Sequence, residues 1–197
     1  MSKVALIGAG SIVFTKQFLN DMFNTPCMAG STYALMGPTL WKLEKMKQYA
    51  DQIIEKNNID AHIYCTTDRR DALKDADFVI LTFQVGGNAA YAHDIEIPMQ
   101  YGVDQCIGDS MGPGGVFRLL RNAPVMFGIW EDMKELCPNA YVLNYVNPMG
   151  AMCTLLARGT GMKVVGLCHG VQTTMDLISG YTGVPKDEID FINAGIN

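Results

Sequence analysis

The chain has 197 residues, 49% of them hydrophobic, which is enough for one large domain or for one domain and the start of a second. Its formal net charge of -5 argues against a nucleic-acid partner and against binding to an anionic membrane surface. No apolar run approaches the length of a membrane span or of the hydrophobic segment of a signal peptide. We therefore expect a cytoplasmic protein without nucleic-acid or membrane partners.

The cysteines are scattered along the chain and form no C-x-x-C pair. In a chain of this size, such spacing indicates reduced thiols rather than a disulfide framework. Most of these side chains are expected to be buried as small hydrophobic groups. The six are Cys27, Cys65, Cys106, Cys137, Cys153 and Cys168.

Short β-rich segments alternate with amphipathic helical segments along the chain. Strands are predicted at residues 3–7, 32–36, 61–66, 78–81, 141–146 and 163–167. Helices are predicted at residues 14–23, 40–56, 71–75, 117–136, 149–157 and 171–181. Glycine-rich breaks are predicted at residues 85–88 and 108–115. This alternation predicts an α/β fold with a Rossmann-type doubly wound parallel sheet and right-handed crossovers.

A glycine-rich turn, Gly8-Ala9-Gly10-Ser11, lies between the first predicted strand and the first helix. The first glycine permits a tight turn, and the second lets a pyrophosphate approach the backbone at the start of the helix. The third glycine of the G-x-G-x-x-G fingerprint is absent, because Val13 occupies its place. The turn is therefore predicted to bind a dinucleotide, with an ordinary glycine-rich turn as the alternative.

The end of the second predicted strand departs from the usual dinucleotide site. An acidic residue is expected there to accept hydrogen bonds from the adenosine ribose, but the strand ends in Gly37. The next acidic residue is Glu44, inside the following helix, and no arginine is near enough to hold a 2′-phosphate. The sequence thus predicts weak binding of NAD and gives little support to NADP.

Polar residues follow three later strands: Gln84 after the fourth, Asn147 after the fifth, and Cys168-His169 after the sixth. Each has an ordinary interpretation, since an Asn-Pro pair is usually a turn, a cysteine usually core, and a lone histidine usually structural. In a doubly wound sheet, however, ligands bind beyond the carboxyl ends of the strands. Their shared position predicts a ligand site.

Several motifs together resemble glycoside hydrolase family 4, the NAD- and metal-dependent glycosidases. The motifs are Gly8-Ala9-Gly10-Ser11, Asp77-Phe78-Val79, Gly112-Pro113-Gly114-Gly115 with Arg118, Asn144-Tyr145-Val146-Asn147-Pro148-Met149, and Ala194-Gly195-Ile196-Asn197. Within that family, the segment Cys168-His169-Gly170-Val171-Gln172 is most similar to the α-galactosidase branch.

The resemblance implies an unusual glycoside hydrolysis that does not use two carboxylates. In the implied mechanism, NAD takes a hydride from C3 of the sugar, a base removes the acidified C2 proton, and the aglycone leaves by elimination. Water then adds, and the hydride returns. A divalent ion, by resemblance Mn²⁺, bridges the C2 and C3 oxygens. The implied substrate is a small α-galactoside or a related sugar, and we expect a homo-oligomer.

The resemblance also implies a role for each candidate residue. Asn147 would contact sugar hydroxyls, and Asp109 would support the tyrosine base of the family. Cys168 would ligate the metal, and His169 would protonate the leaving oxygen, since imidazole titrates near neutral pH. The implied cofactor contacts are Gly8, Ala9, Gly10, Ser11, Ile12 and Gln84.

The resemblance divides the chain into a dinucleotide-binding domain at residues 1–167 and the start of a catalytic α+β domain at residues 168–197. The second metal ligand of the family is a histidine directly after the Gly-Ile-Asn at residues 195–197, and the tyrosine base lies further along. We therefore expect a truncated chain. A non-catalytic nucleotide-binding fragment is one alternative. A lactate/malate-type dehydrogenase is another, although the three histidines form no convincing pair with an aspartate and a substrate-binding arginine.

Overall fold

A computed structural model describes residues 1–105 and 108–195 as a six-stranded parallel sheet between two layers of helices. The strand order is β3-β2-β1-β4-β5-β6, so the winding direction reverses between β1 and β4. The strands are β1 Lys3–Ile7, β2 Thr32–Met36, β3 His62–Thr66, β4 Phe78–Leu81, β5 Tyr141–Asn144 and β6 Val164–Gly166. The predicted doubly wound sheet is therefore confirmed.

The helices connect successive strands and lie on both faces of the sheet. They are α1 Ile12–Asn24, α2 Pro26–Ala29, α3 Leu40–Asn57, α4 Arg69–Leu73, α5 Gly87–Met99, α6 Gly112–Leu136, α7 Met149–Thr160 and α8 Gly170–Thr182, followed by a 3-10 turn at Lys186–Glu188. None of those in the described residues is long and apolar enough to cross a membrane. The sequence patterns predict neither α2 nor α5, and they place α4 about two residues too late.

Helix α5 escapes prediction because its sequence combines strong signals for a loop. It begins at Gly86 and Gly87, whose φ angles are 82° and 58°, and its last turn contains Pro98. Its buried residues are Asp94 and Pro98, so no apolar stripe marks one face. Contacts with α6 therefore decide its conformation.

Alternate residues of the strands bury two separate cores, one on each face of the sheet. On one face, Val4 and Leu6 of β1 pack with Leu19 of α1 and Leu43 of α3. On the other face, residues including Ala5 and Ile7 pack with α4, α6 and α7. Strands β1 and β4 are thus buried on both faces, as their continuous apolar runs predict.

The first face is only partly covered among the described residues. Beyond α1, an apolar cavity of about 340 Å³ opens over the sheet, lined by side chains that include Phe18, Leu143 and Leu167. Tyr141 and Val165, which share this face, are 49% and 47% exposed. Helix α8 buries only Met175. The predicted domain boundary at residue 167 stays a prediction.

The close approach of two chain segments at Gly8 sets the geometry of the central strands. Gly8 directly follows β1 with φ of 101°, a conformation that glycine adopts readily. A Cβ built there would lie 2.8 Å from the backbone carbonyl carbon and oxygen of Thr82 and 2.9 Å from the backbone nitrogen of Phe83. A side chain at this position would push the ends of β1 and β4 apart.

We expect Gly8→Ala to lower the free energy of unfolding by about 1–3 kcal/mol, because it combines backbone strain with a backbone clash. Gly180→Ala in α8 is the matched control, since nothing lies within 4 Å of a Cβ there. The control should be neutral or stabilising by up to about 1 kcal/mol, as expected for alanine in a helix. Urea denaturation measures both, and equal changes would contradict the argument.

Candidate active site

The carboxyl ends of the parallel strands share one edge of the sheet, and the candidate residues lie there. Ile7 at the end of β1 pairs in register with Met36 of β2 and with Leu81 of β4. The Gly8–Ser11 turn, Gly37 and Gln84 therefore leave the sheet close to the same level. Asn147 and Cys168 follow β5 and β6 at the same edge.

The turn after β1 is held from both sides by hydrogen bonds. The backbone N–H groups of Gly8 and Ala9 both donate to the carbonyl oxygen of Met36 at 2.9 Å. The buried Thr15 hydroxyl donates to the carbonyl oxygen of Ala9 at 3.0 Å. These bonds orient the turn so that Gly10 and the start of α1 face outward beyond the sheet.

Ser11 is the N-cap of α1, and its hydroxyl oxygen accepts a hydrogen bond from the backbone N–H of Phe14 at 3.3 Å. The N–H groups at such a helix start suit an anionic ligand. Ile12 and Val13 are 67% and 70% exposed in the first turn of this helix. Because Val13 points away from the core, the missing third glycine does not prevent α1 from packing on the sheet.

Gly37, at the end of β2, is buried beside the turn. A Cβ built on it would lie 3.8 Å from the backbone nitrogen of Gly10 and 3.3 Å from Leu43 Cδ2. This position is where the carboxylate of a ribose-binding residue would stand. The structure therefore places Gly37 as the sequence predicts, with no side chain to hold the ribose.

Gln84 is exposed after β4, and its amide group donates to the carbonyl oxygen of Gly87 at 3.0 Å. It thus contacts the start of α5 in this structure, and no described hydrogen bond joins it to the Gly8–Ser11 turn. Its predicted contact with a cofactor stays a prediction.

A polar cluster lies between the loop before α6 and the end of β5. Asn147 Nδ2 donates to Asp109 Oδ2 at 2.8 Å, and the same oxygen lies 3.3 Å from a guanidinium nitrogen of Arg118. Asn122 Nδ2 donates to the carbonyl oxygen of Asn147 at 3.1 Å. The structure thus joins two predicted site residues, Asp109 and Asn147, and adds Arg118 and Asn122.

Arg118 is 8% exposed, and its Nε has no hydrogen-bond partner among the described residues. Its guanidinium group lies 5.7 Å from the centre of the Tyr91 ring, which is the distance of a cation–π contact. A buried donor without an acceptor is costly. An acceptor oxygen of a bound ligand would satisfy it.

A second ion pair fixes helix α5 against α6. Arg121 forms two charge-assisted hydrogen bonds to the buried carboxylate of Asp94, at 2.8 and 2.5 Å. Its Nε also donates to the carbonyl oxygen of Val85 at 3.0 Å. The bond to Asp94 raises the pKa of Arg121 above its usual value. This pair holds the loop after β4 in place.

Cys168 and His169 are both exposed after β6. The Cys168 sulfur accepts a hydrogen bond from the Gly170 backbone at 3.4 Å, and His169 is the N-cap residue of α8. Burial raises the pKa of Tyr145, with smaller contributions from the nearby Asp21 and Cys168. Within the described residues, no hydrogen bond or ion pair connects Cys168 or His169 to Asp109 or Asn147.

Residues 3–184 match the family described as "Family 4 glycosyl hydrolase". The chain belongs to family 4 of the glycosyl hydrolases. The match covers most of the chain and decides against the lactate/malate-type dehydrogenase as its family.

Two curated relatives of this family 4 chain are named alpha-galactosidases. One, from Rhizobium meliloti, is 43% identical over 197 residues, covering 99% of this chain and 40% of the relative. The other, from Bacillus subtilis, is 40% identical over 199 residues, covering 100% of this chain and 46% of the relative. The family 4 chain thus spans less than half the length of both relatives.

A solved structure shares the fold at low sequence identity. It is the 6-phospho-beta glucosidase of Thermotoga maritima, with manganese, NAD⁺ and glucose-6-phosphate. The TM-score is 0.81 at 20% identity, covering 95% of this chain and 44% of that chain. This likeness supports the Rossmann-type fold of the family 4 chain.

The role of Arg118 and Asn122 in the cluster could have been suspected from their spacing in α6. The buried side of this helix includes Arg118, Asn122, Met126, Ile129 and Met133. These positions recur at helical spacing, so the two polar residues extend the apolar stripe of the core. Polar residues on a buried stripe near a helix end indicate a site.

The expectation that most cysteines are buried is wrong for the described residues. Cys27 and Cys168 are exposed, Cys65 and Cys153 are half-buried, and Cys137 alone of the described five is buried. Burial raises the pKa of Cys137 to about 11, so its thiol is unreactive near neutral pH. Cys106, and residues Ile196 and Asn197 of the last motif, lie outside the described residues.

A cavity of about 450 Å³ lies at the opposite edge of the sheet, where the strands begin. Ser2, Asp77 and Tyr141 are among the residues that line it. The amino ends of the strands and the Gly8–Ser11 turn lie at opposite edges of the sheet. This cavity therefore has no part in the candidate site.

We expect Asp109→Asn to lower the free energy of unfolding by about 1–3 kcal/mol, because it leaves the buried Arg118 cation without its carboxylate. Glu131→Gln is the control, since it breaks an exposed pair with Lys134. The control should change stability by less than about 1 kcal/mol. Chemical denaturation measures both variants, and an Asp109→Asn effect no larger than that of the control would contradict the assigned contact.

Proposed function

We propose that this protein is an NAD-dependent glycosidase that hydrolyses small α-galactosides. The family match and the names of the two relatives support the activity and the sugar. The observation that carries the proposal is the arrangement at one sheet edge. A glycine turn suited to a pyrophosphate shares this edge with the Asp109–Asn147–Arg118 cluster, which suits a polar substrate and in which Arg118 is buried.

The residues of the turn fit a dinucleotide. Gly8 leaves no room for a side chain, and the turn lies where the winding of the sheet reverses. The start of α1 presents backbone N–H groups beyond Gly10 and Ser11. Ala9 and Ile12 complete the proposed cofactor contacts, and Gln84 would join them from the loop after β4.

NAD⁺, when bound, supplies a hydride acceptor for C3 of the sugar. Asn147 would hold a sugar hydroxyl, since Asp109 orients its amide group through a 2.8 Å hydrogen bond. The unpartnered Nε of Arg118 would donate to a sugar oxygen. These contacts would hold the substrate in one orientation at the sheet edge that carries the cofactor turn.

His169 is the proposed acid that protonates the leaving oxygen. Its side chain is exposed after β6, where it can exchange protons with solvent. An imidazole can donate a proton near neutral pH, which suits a general acid. In this arrangement, the acid and the Asn147 amide approach the sugar from neighbouring strand ends.

The fit to a manganese ion is partial. Cys168 offers an exposed thiol as one ligand, and the solved relative from Thermotoga maritima contains manganese. Within the described residues, no three side chains of histidine, cysteine, aspartate or glutamate form a group that could hold a metal.

A second candidate function is nucleotide binding without hydrolysis by these 197 residues alone. Two observations favour it: the described residues contain no cluster of metal ligands, and the chain covers less than half of the two curated relatives. An assay of the purified chain on p-nitrophenyl α-galactoside, with NAD⁺, Mn²⁺ and a reductant, separates the two. Turnover would favour the glycosidase assignment for the chain itself.

The mechanism is tested by hydrolysis in D₂O with protein from the complete reading frame that contains residues 1–197. We expect deuterium at C2 of the released sugar, because a ketone at C3 acidifies the C2 proton and allows exchange. Mass spectrometry and proton NMR locate the label. A hydrolysed product without deuterium at C2 would point to ordinary two-carboxylate hydrolysis.

We expect the 197-residue chain to bind Mn²⁺ weakly, and Cys168→Ser to weaken it further without changing NAD⁺ affinity. A single thiolate is a poor site for an ion that prefers oxygen ligands. Electron paramagnetic resonance measures free Mn²⁺ during titration, and Cys27→Ser, another exposed cysteine, is the control. Unchanged Mn²⁺ binding in Cys168→Ser would remove Cys168 from the ligands.

A further inference from the structure

The first turn of α3 brings a lysine to the place where the ribose carboxylate is missing. A Cβ built on Gly10 would lie 3.7 Å from both Cβ and Cδ of Lys42. A Cβ built on Gly37 would lie 3.8 Å from the backbone nitrogen of Gly10. Gly10, Gly37 and the stem of Lys42 are therefore neighbours, and the Lys42 ammonium group can reach the space beside the cofactor turn.

An aromatic ring holds two ammonium groups near this position. Lys42 Nζ lies 5.6 Å and Lys45 Nζ 5.1 Å from the centre of the Trp41 ring, both within cation–π range. Trp41 is 55% exposed, so both charges lie at the surface of α3. The ring keeps two positive charges together at the start of α3.

The acidic groups around this turn do not neutralise these lysines. Among the described residues, neither Lys42 nor Lys45 forms an ion pair with a carboxylate, whereas Lys47 pairs with Asp51 at 2.7 Å. Asp68, after β3, accepts a hydrogen bond from the backbone of Arg70 at the start of α4. Glu44 is the remaining acid of the first turns of α3, beside two lysines. The first turns of α3, residues 40–45, therefore carry a net positive charge, with two lysines and one glutamate.

We propose that the dinucleotide site of this chain binds NADP⁺ at least as tightly as NAD⁺, with Lys42 holding the 2′-phosphate. This inference rests on the proposed binding of a dinucleotide at the Gly8–Ser11 turn. A carboxylate at position 37 would bond the ribose hydroxyl of NAD⁺ and repel the 2′-phosphate of NADP⁺. Gly37 removes both effects, and a lysine ammonium group is a suitable phosphate ligand.

This proposal departs from the sequence-based expectation, which gave NADP little support because no arginine lies near Gly37. Lys42 lies five residues after Gly37, and only the start of α3 brings its stem back against Gly10. The Lys42 side chain is long enough to extend from Gly10 past Gly37. Its ammonium group can therefore meet a phosphate on the ribose without a change in the backbone.

Isothermal titration calorimetry of the 197-residue chain with NAD⁺ and NADP⁺ tests the proposal. Adenosine 2′,5′-bisphosphate and 5′-AMP serve as smaller probes that differ by the 2′-phosphate alone. We expect Lys42→Gln to weaken NADP⁺ and the bisphosphate by about tenfold or more, the effect of losing one charge-assisted hydrogen bond. Its affinities for NAD⁺ and 5′-AMP should stay within about twofold.

Two further variants complete the experiment. Lys56→Gln makes the same charge change on the same helix, about 21 Å away along its axis, and should alter no affinity. Gly37→Asp should tighten NAD⁺ and weaken NADP⁺, each by about tenfold. Circular dichroism confirms that every variant is folded.

The outcomes separate the two proposals. If NAD⁺ binds and NADP⁺ binds much more weakly, the 2′-phosphate assignment is wrong and the dinucleotide site stands. If NADP⁺ binds and Lys42→Gln leaves its affinity unchanged, Lys42 does not hold the phosphate and the inference fails. If neither dinucleotide binds, the proposed function of the Gly8–Ser11 turn fails as well.

Discussion

The contact between Gly8 and the Thr82–Phe83 backbone is the constraint on which the rest of the site depends. It joins the ends of β1 and β4, the two strands between which the winding of the sheet reverses. The Thr82 backbone N–H donates to the carbonyl oxygen of Ile7 at 2.9 Å, which keeps the strand ends together up to the turn. Because no side chain stands between them, the crevice beyond the sheet opens on the side where α1 begins.

The two ends of the site differ in how firmly the described residues hold them. At the Asp109 end, Asn147, Arg118 and Asn122 are linked by hydrogen bonds and charges within the protein. At the Cys168 end, both the thiol and the neighbouring imidazole are exposed, and a backbone N–H is the described donor to the sulfur. The proposed substrate contacts are therefore held in the packed part of the fold, whereas the proposed metal ligand and acid lie on its surface.

The local hydrophobic pattern of the sequence predicts the strands of the sheet. It does not predict the long-range contacts that assemble the candidate site. Strands β1, β2 and β4 have the predicted bounds, because short apolar runs between turn signals suit strands buried on both faces. Helix α5 was missed, since its glycines and Pro98 resemble a loop and its stability comes from α6. The pairing of Asp94 with Arg121 spans 27 residues, and no periodicity reports such a distance. The roles of Cys168 and His169 came from family resemblance and stay predictions.

The buried stripe of helix α6 connects the candidate site with the core. The stripe spans 16 residues, from Arg118 and Asn122 at the candidate site to Met133 in the core. Pro124 lies inside this helix between Asn122 and Met126, at a position where a helix can bend. The two methionines of the stripe, Met126 and Met133, are unbranched and can adapt to a changed neighbour without moving the backbone. Substitutions among the core residues that contact these methionines can therefore be accommodated while Arg118 stays aligned with Asp109.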